Sequence, residues 1–336
     1  MTMTLAIRNA TARPIGRRAF VVGAGLALAG ASSACGRAAD GAPRDLRFMV
    51  PHSPGGGYDL TARTAARTLE DTKAVARCDA FNVIGSGGTV AMARLMNERG
   101  NGSLIMMMGL GVIGACSAVR STYRATDATP LARLIDDQEG IVVPAQSRFR
   151  TVDDFLSAWR QDPGAVRIGG GSFTGGPDHL FPMELARTLG IAPARVDFSQ
   201  YSGGGDLLTA LLGRRVDAAV SGTGEYRSQI AGGGLRVLAV SGRERVPGID
   251  APTLREAGVD LTFNNWRGVL APPGITPGRR RALVDMLARM RSSPQWQEAL
   301  RRNGWTDEFS TGTDFEKFLA QQEERVAKAL RDLGRT

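Results

Sequence analysis

The polarity pattern of this chain switches between short apolar runs and longer amphipathic stretches, with glycines at the joints. Over residues 44–50 the pattern alternates, with Leu46, Phe48 and Val50 on one side, which predicts a strand. The glycine-rich run 51–57 ends it. From Tyr58 to about residue 72, Leu60, Ala65 and Leu69 share the face of a helix. Residues 80–84 predict a second strand, and Gly85-Ser86-Gly87-Gly88-Thr89 turns into a helix through Met96. Residues 103–108 are apolar after Ser103 and predict a third strand, buried on both faces. Three strand–loop–helix units in succession predict a parallel sheet with right-handed crossovers.

The register changes next. Residues 131–135 and 140–143 predict two strands flanking an acidic turn, Asp136-Asp137, where the chain crosses into a second domain. Thr151 is placed to cap a helix. Strands are predicted at 166–168, 196–198, 216–220 and 235–240, with helices from Asp178 to about 189 and over 207–212. The segment Phe263-Asn264-Asn265-Trp266-Arg267-Gly268 returns the chain to the first domain. A last helix is expected from Thr313, with a Thr313/Glu316 capping box, a stripe of Phe315, Phe318, Leu319, Val326, Leu330 and Leu333, and Gly334 as its stop. The expected division is therefore a first lobe of 44–142 with 264–336 and a second lobe of 143–263. Some 300 residues suit two such domains better than one core.

Residues 1–34 stand apart from the fold, and 35–43 read as a linker. Arg8, Arg13, Arg17 and Arg18 precede a small apolar run over 19–34, too short for a membrane span of ~20 residues. This reads as an export signal. Gly16-Arg17-Arg18-Ala19-Phe20 resembles a twin-arginine motif, and Ala31-Ser32-Ser33-Ala34-Cys35 resembles a lipobox, in which Cys35 would be lipidated and hold the protein to a membrane. A soluble secreted protein cut nearby is the alternative. The net charge is +9, of which four charges precede Cys35. The other basic residues, such as Arg279-Arg280-Arg281 and Arg301-Arg302, are scattered on helices without interleaved aromatics, which argues against nucleic acid. Cys78 and Cys116 could pair in an oxidising compartment or remain two buried thiols.

Two glycine loops carry the candidate chemistry: Pro51-His52-Ser53-Pro54-Gly55-Gly56-Gly57-Tyr58-Asp59 and Gly169-Gly170-Gly171-Ser172-Phe173-Thr174-Gly175-Gly176-Pro177-Asp178-His179. Each follows a strand and opens a helix, the geometry in which bare N–H groups converge on an anion. Neither contains Lys or Arg, so an anion would be held mainly by backbone donors and helix dipoles. Two such loops suggest two jaws on one ligand. Both histidines of the chain, His52 and His179, lie in these loops. Each either caps locally or approaches a bound carboxylate, which would favour its charged form and tighten binding as pH falls. Asp59 and Asp178 read as first-turn acids, or as acceptors for a ligand hydroxyl. Tyr58 and Phe173 either wall the cleft or pack into their own domain.

Other chemistries fare poorly. Gly109-x-Gly111-x-x-Gly114 matches a dinucleotide fingerprint but follows the third strand, not the first, and lacks the acid that should follow. It reads as a tight turn near a cleft rim. Ser172 and Ser221 lack nucleophile-elbow spacing, and neither P-loop nor zinc-protease motif occurs. No catalytic residue, cofactor or metal site is read. Two other classes stay open: an exported enzyme, and an extracytoplasmic sensor lobe feeding a kinase.

Taken in order, the loop 51–59, residues 85–89, Gly175-Gly176-Pro177-Asp178-His179, Ser202-Gly203-Gly204-Gly205-Asp206, residues 216–222, residues 235–241 and Asn265-Trp266-Arg267-Gly268 followed by 269–274 resemble the TctC or Bug family. Its members are the substrate-binding components of tripartite tricarboxylate transporters. The resemblance covers about 46–334. It implies an α/β, type II periplasmic-binding-protein fold, with two lobes closing on a carboxylic acid. It implies a carboxylate held through backbone N–H groups and waters by Ser53, Gly55, Gly56, Gly57, Tyr58 and Asp59 and by Ser172, Phe173, Thr174, Gly175 and Asp178. Gly87, Gly88, Thr89, Gly204, Ser221 and Thr223 would complete the cleft. Trp266 and Arg267 would be structural, near the hinge. His52 stands where many relatives have Phe. Citrate-like acids are the first expectation, then C4-dicarboxylates and aromatic acids. Membrane permease subunits are the implied partners.

Overall fold

Alternation over Leu46, Phe48 and Val50 yields β1 (Asp45–Val50). These three side chains enter one core and Met49 another, so both faces of the sheet are covered. In this computed structural model the chain is described at Gly41 and over residues 43–334, so the export segment and Cys35 lie outside the described residues. The chain continues through α1 (Gly57–Asp71), β2 (Arg77–Asn82), α2 (Thr89–Asn97), β3 (Leu104–Gly109) and α3 (Leu110–Ala118). β1 pairs in parallel with both β2 and β3. All six residues of β3 are buried, as its unbroken apolar run predicts.

β4 (Thr129–Pro144) corrects one expectation. The two strands predicted around Asp136-Asp137 are a single sixteen-residue strand. No turn is needed, because each acid has a partner within the sheet. Arg133 pairs with Asp136 at 2.6 Å, and Arg267 pairs with Asp137 at 3.0 Å. Opposite them in the ladder stand Trp266 and Asn265 of β9 (Asn264–Ala271), which runs antiparallel. At ~3.3 Å per residue β4 is long enough to serve two half-sheets. Its first part pairs with β9 and β10 (Thr306–Thr311). From Glu139 onward it pairs with β7 (Ala218–Gly222) and β8 (Leu235–Val240).

The second half-sheet adds β5 (Ile168–Gly170) and β6 (Phe198–Gln200), in the order β4-β7-β5-β6, with α4 (Val152–Gln161), α5 (Pro177–Thr188), α6 (Gly204–Leu212) and α7 (Arg227–Ala231) as its helices. Thr151 caps α4 as predicted, its Oγ1 accepting the Asp154 N–H at 3.1 Å. β5, β6 and β7 each begin two residues later than the apolar runs suggested. Val166 and Val216 are buried but lie ahead of the ladder, whereas Gly169 and Gly170 pair within it. Apolarity marked burial there, and pairing followed the backbone.

β9 returns the chain to the first half-sheet, pairing antiparallel with β3 as well as β4. α8 (Pro277–Arg291) and α9 (Pro294–Asn303) carry the basic triplet and pair, capped by Thr276 and Ser293. α10 (Gly312–Asp332) buries Phe315, Leu319, Val326 and Leu330. Its expected capping box does not form. The cap residue is Thr311, Thr313 already lies inside the helix, and Glu316 pairs with Arg280 instead. Gly334 follows with φ +65°, the left-handed stop expected of it. Cys78 and Cys116 are buried free thiols, packed into the cores on opposite faces of the sheet. Among the described residues no helix is long and apolar enough to cross a membrane, and no His/Cys/Asp/Glu group could hold a metal.

Candidate functional site

The two glycine loops share one backbone design. Gly55 has φ +84° and Gly175 φ +83°, the left-handed region that glycine enters without a Cβ penalty. The next residues, Gly56 and Gly176, are extended and start α1 and α5. In each loop the side chain four positions after the left-handed glycine accepts its N–H. Asp59 Oδ2 takes the Gly55 N–H at 3.0 Å, and His179 Nδ1 takes the Gly175 N–H at 3.2 Å. That bond assigns the Nδ1 of His179 as an acceptor. Asp59 also receives Arg63 Nε at 2.9 Å and Asn82 Nδ2 at 2.9 Å. Burial works to raise its pKa, but these donors outweigh it and hold the carboxyl below its usual range.

The two helix starts differ in what they offer. At α5, Pro177 has no N–H, the Asp178 N–H donates to Ser172 Oγ at 3.0 Å, and the His179 N–H goes to the Gly176 carbonyl. The Asp178 carboxylate turns back to accept the Gly171 N–H at 2.7 Å. The first turn of α5 is thus saturated and carries a buried acid. At α1 the carboxylate of Glu225, which arrives from the turn after β7, comes close to Gly57, whose N–H favours its charged form.

Between the half-sheets lies a small cleft of about 50 Å³. Of the residues expected at the site, His52, Gly56, Gly57, Tyr58, Gly87, Ser172, Phe173, Asp178 and Gly204 line it. The others stand behind or beside it. Gly55, Asp59, Gly175 and His179 hold the loops in shape from behind. Ser53 bridges the halves at the lip, its Oγ donating to the Ser202 carbonyl at 3.3 Å. Gly88 packs on Pro51 and Val112, and Thr89 begins α2. Thr174 donates to Gln200 at 3.2 Å. Ser221 pairs in the β4–β7 ladder, and Thr223 is fully buried. Tyr58 Oη accepts the Gly111 N–H at 3.0 Å, and burial pushes the phenol up to about 12.

Gly111, Gly171, Pro177, Gly203, Glu225, Asn265 and Arg267 also line the cleft and were not on the expected list. Arg267 matters most. It is 2% exposed, with Nη1 donating to Thr61 Oγ1 at 2.8 Å and Nη2 to Asp137 Oδ2 at 3.0 Å. Its Nη2 is 3.8 Å from Glu225 Oε1. An arginine inside the apolar run of β9 demands a buried acid as partner, and that was the available signal. Around it burial lifts the acids. Glu225 is pushed up to about 8 by burial working against Arg267, and Asp178 to about 6 by burial working against the Gly171 N–H and, behind it, Arg267. Asp137 is raised by burial, and Glu139 is raised well above its usual range, by burial first and then by Asp178, Asp137 and Glu225. Burial lowers His52. The halves meet over the cleft at bare backbone. Gly114 faces Gly175, and the Cβ position of Gly87 is 2.6 Å from the Phe173 side chain.

Two α/β halves joined by the long crossing strands β4 and β9, with a cleft at the crossing, define a periplasmic binding protein of type II. The chain belongs to the TctC family: the model described as "Tripartite tricarboxylate transporter family receptor" matches residues 64–334. It is 28% identical over 295 residues to the UPF0065 protein in the tcbD-tcbE intergenic region of Pseudomonas sp. (strain P51), covering 86% of each chain. Two solved structures share the fold. MatC from Rhodopseudomonas palustris with bound malate has a TM-score of 0.74 at 22% identity, covering 85% of this chain and 99% of that one. Rpa4515 from R. palustris with adipate has a TM-score of 0.77 at 23% identity, covering 87% and 97%.

Proposed function

We propose that this chain is an exported receptor that captures a small organic carboxylate and presents it to the permease subunits of a tripartite transporter. The observation that carries this reading is one cleft lined from both halves, by the glycine-loop residues His52, Gly87, Ser172 and Phe173 as well as by the helix starts Gly57 of α1 and Gly204 of α6 beside the buried Arg267. Helix N-termini and a guanidinium both favour an anion. Family membership and the malate and adipate in similar folds support the class of ligand. Segments 44–142 with 264–336 and 143–263 act as the two lobes. Capture closes them, and no bond is made or broken. Closure follows because the ligand touches both halves only when they are shut. Cys35, if acylated after export, tethers the receptor beside its membrane partners.

Of the ligands ranked from the sequence, a citrate-like tricarboxylate is the poorest fit to this cleft. Two acids, the buried Asp178 and the 12% exposed Glu225, already line it, with Asp137 and Glu139 buried behind them. The test is a thermal-shift screen of carboxylic acids (citrate, malate, adipate, aromatic acids and hydroxy or amino acids), with calorimetry on hits. A ligand that binds only the native state raises the midpoint by mass action, by ~2.7 kcal/mol at 100 times its dissociation constant. A saturable shift with an acid and no turnover is expected. Silence across the whole panel would sink the receptor reading.

A further inference from the structure

The anion position between the two helix starts is already filled by the protein itself. Glu225 Oε1 lies 2.7 Å from the Cβ position of Gly57, the first residue of α1, and Oε2 lies 2.5 Å from that of Gly204, the first residue of α6. Neither approach would be open to a residue with a side chain. The Gly57 N–H and Arg267, whose Nη2 stands 3.8 Å away, both favour the charged form of this carboxylate. Helix starts from both halves and a guanidinium on one carboxylate are the partners an external acid would seek. Glu225 is nonetheless only 12% exposed and still lines the cleft. Its neighbour Tyr226 fixes the turn, with Oη donating to the Gly204 carbonyl at 2.9 Å.

Resting on the receptor reading above, we infer that Glu225, once ionised, is a built-in carboxylate occupying one of the cleft's anion positions, so that the cleft then selects a ligand with a single carboxylate and a hydrogen-bond donor, hydroxyl or ammonium, at its other end. The second jaw supports this. The first turn of α5 has Pro177 and two engaged N–H groups, and it presents the Asp178 carboxylate instead of donors. A second ligand carboxylate would therefore meet Glu225 or Asp178 in a poorly solvated space, where like charges repel strongly. A hydroxyl or ammonium placed there would donate to them. The ligand's own carboxylate is left with the other wall, which includes His52 and Gly87. Burial first, opposed by Arg267, lifts Glu225 to about 8, and the charges of Asp178 and Asp137 add to the rise.

The test compares matched acids of equal chain length by calorimetry at about pH 9, above the value of about 8 for Glu225. The pairs are adipate against 6-hydroxyhexanoate and 6-aminohexanoate, and succinate against 4-hydroxybutyrate and 4-aminobutyrate. Wild type should bind the better hydroxy or amino acid at least about tenfold tighter than its diacid partner, ~1.4 kcal/mol. Glu225→Gln should shift that ratio toward the diacid by a similar factor. Should Glu225→Gln not fold, Glu225→Asp, which withdraws the carboxylate by one methylene, should move the ratio the same way. The wild-type ratio stands as a measurement without any variant. Preference for diacids or citrate in wild type, with a ratio that Glu225→Gln leaves unchanged, overturns the inference while the receptor survives. If no acid of any kind binds, the receptor reading fails as well.

Discussion

Gly114 of α3 lies against the carbonyl of Gly175 across the cleft, and the Cβ position of Gly175 is 2.9 Å from Gly114 Cα. The halves can shut this far only because neither residue has a side chain. Gly114→Ala should therefore hold the cleft partly open. In a helix, Ala is favoured over Gly by about 1 kcal/mol, so the midpoint of the ligand-free protein should hold or rise. Affinity for the ligand should fall at least about tenfold, or ~1.4 kcal/mol. Small-angle scattering of the liganded variant should report a wider molecule. Unchanged affinity with normal folding would show that closure does not need this contact.

Arg267 and Asp137 form a pair with side-chain exposures of 2% and 0%. Removing one partner leaves the other charge buried alone, at a cost of about 3–5 kcal/mol. Arg267→Met should lower stability by that order in urea unfolding. The double variant Arg267→Met with Asp137→Asn should recover most of the loss. The single variant should also gain on acidification, because protonating Asp137 removes the orphan charge. Equal losses in the single and double variants would mean that packing around Arg267, not charge, dominates.

Asp59 and His179 do the same job in the two loops with different chemistry. Asp59 is nearly buried and accepts from Gly55, Arg63 and Asn82. Asp59→Ala should cost about 1.5–3 kcal/mol, the range for hydrogen bonds to a charged group. Asp59→Asn, which keeps an acceptor for the Gly55 N–H, should cost less. Its carboxyl sits below its usual range, so its stabilisation is present above about pH 4 and lost as pH falls further. Ligand affinity should weaken with Asp59→Ala even though Asp59 does not line the cleft, because the left-handed Gly55 loses its clamp. An unaltered affinity would reduce Asp59 to a helix cap.

The parts legible in the sequence are those fixed by local spacing. β1, the buried β3, the Thr151 cap and the glycine loops all follow from neighbours within a few residues. Glu225 and Arg267 were not legible as cleft residues. Arg267 finds Asp137 from another strand, and Glu225 reaches Gly57 from the opposite half-sheet. Nothing within ten positions of either announces the pairing. The acidic pair Asp136-Asp137 misled in part for the same reason: Arg133, three residues before Asp136, was within reach, but the cation of Asp137 comes from β9. The two jaws look alike as glycine loops, yet Pro177 and Ser172 Oγ remove the donors that the second would otherwise have offered.

Glu225 also gives the protein a testable pH signature. Its folded value of about 8 lies above its ordinary 4.5, and that of Asp178, about 6, above 3.8. The native state therefore binds more protons than the unfolded chain between those limits. The stability tied to these protons is present at acid pH and is lost as pH rises through each folded value. His52 acts in the opposite direction: burial lowers it, so its share of stability grows as pH climbs through its unfolded value near 6.5. Above about pH 7 that opposing contribution is complete, and Glu225 is left as the main term among these three groups. The midpoint of the ligand-free protein should therefore decline from about pH 7 to about 8 and level off above that. Glu225→Gln, which cannot ionise, should remove that decline between about pH 7 and 8 and lessen the slope between about pH 4.5 and 6, where Asp178 still contributes. Parallel thermal scans of the two proteins across this range decide it. Superimposable slopes between pH 7 and 8 would mean that Glu225 titrates near its ordinary value and that the space between α1 and α6 is better solvated than its geometry implies.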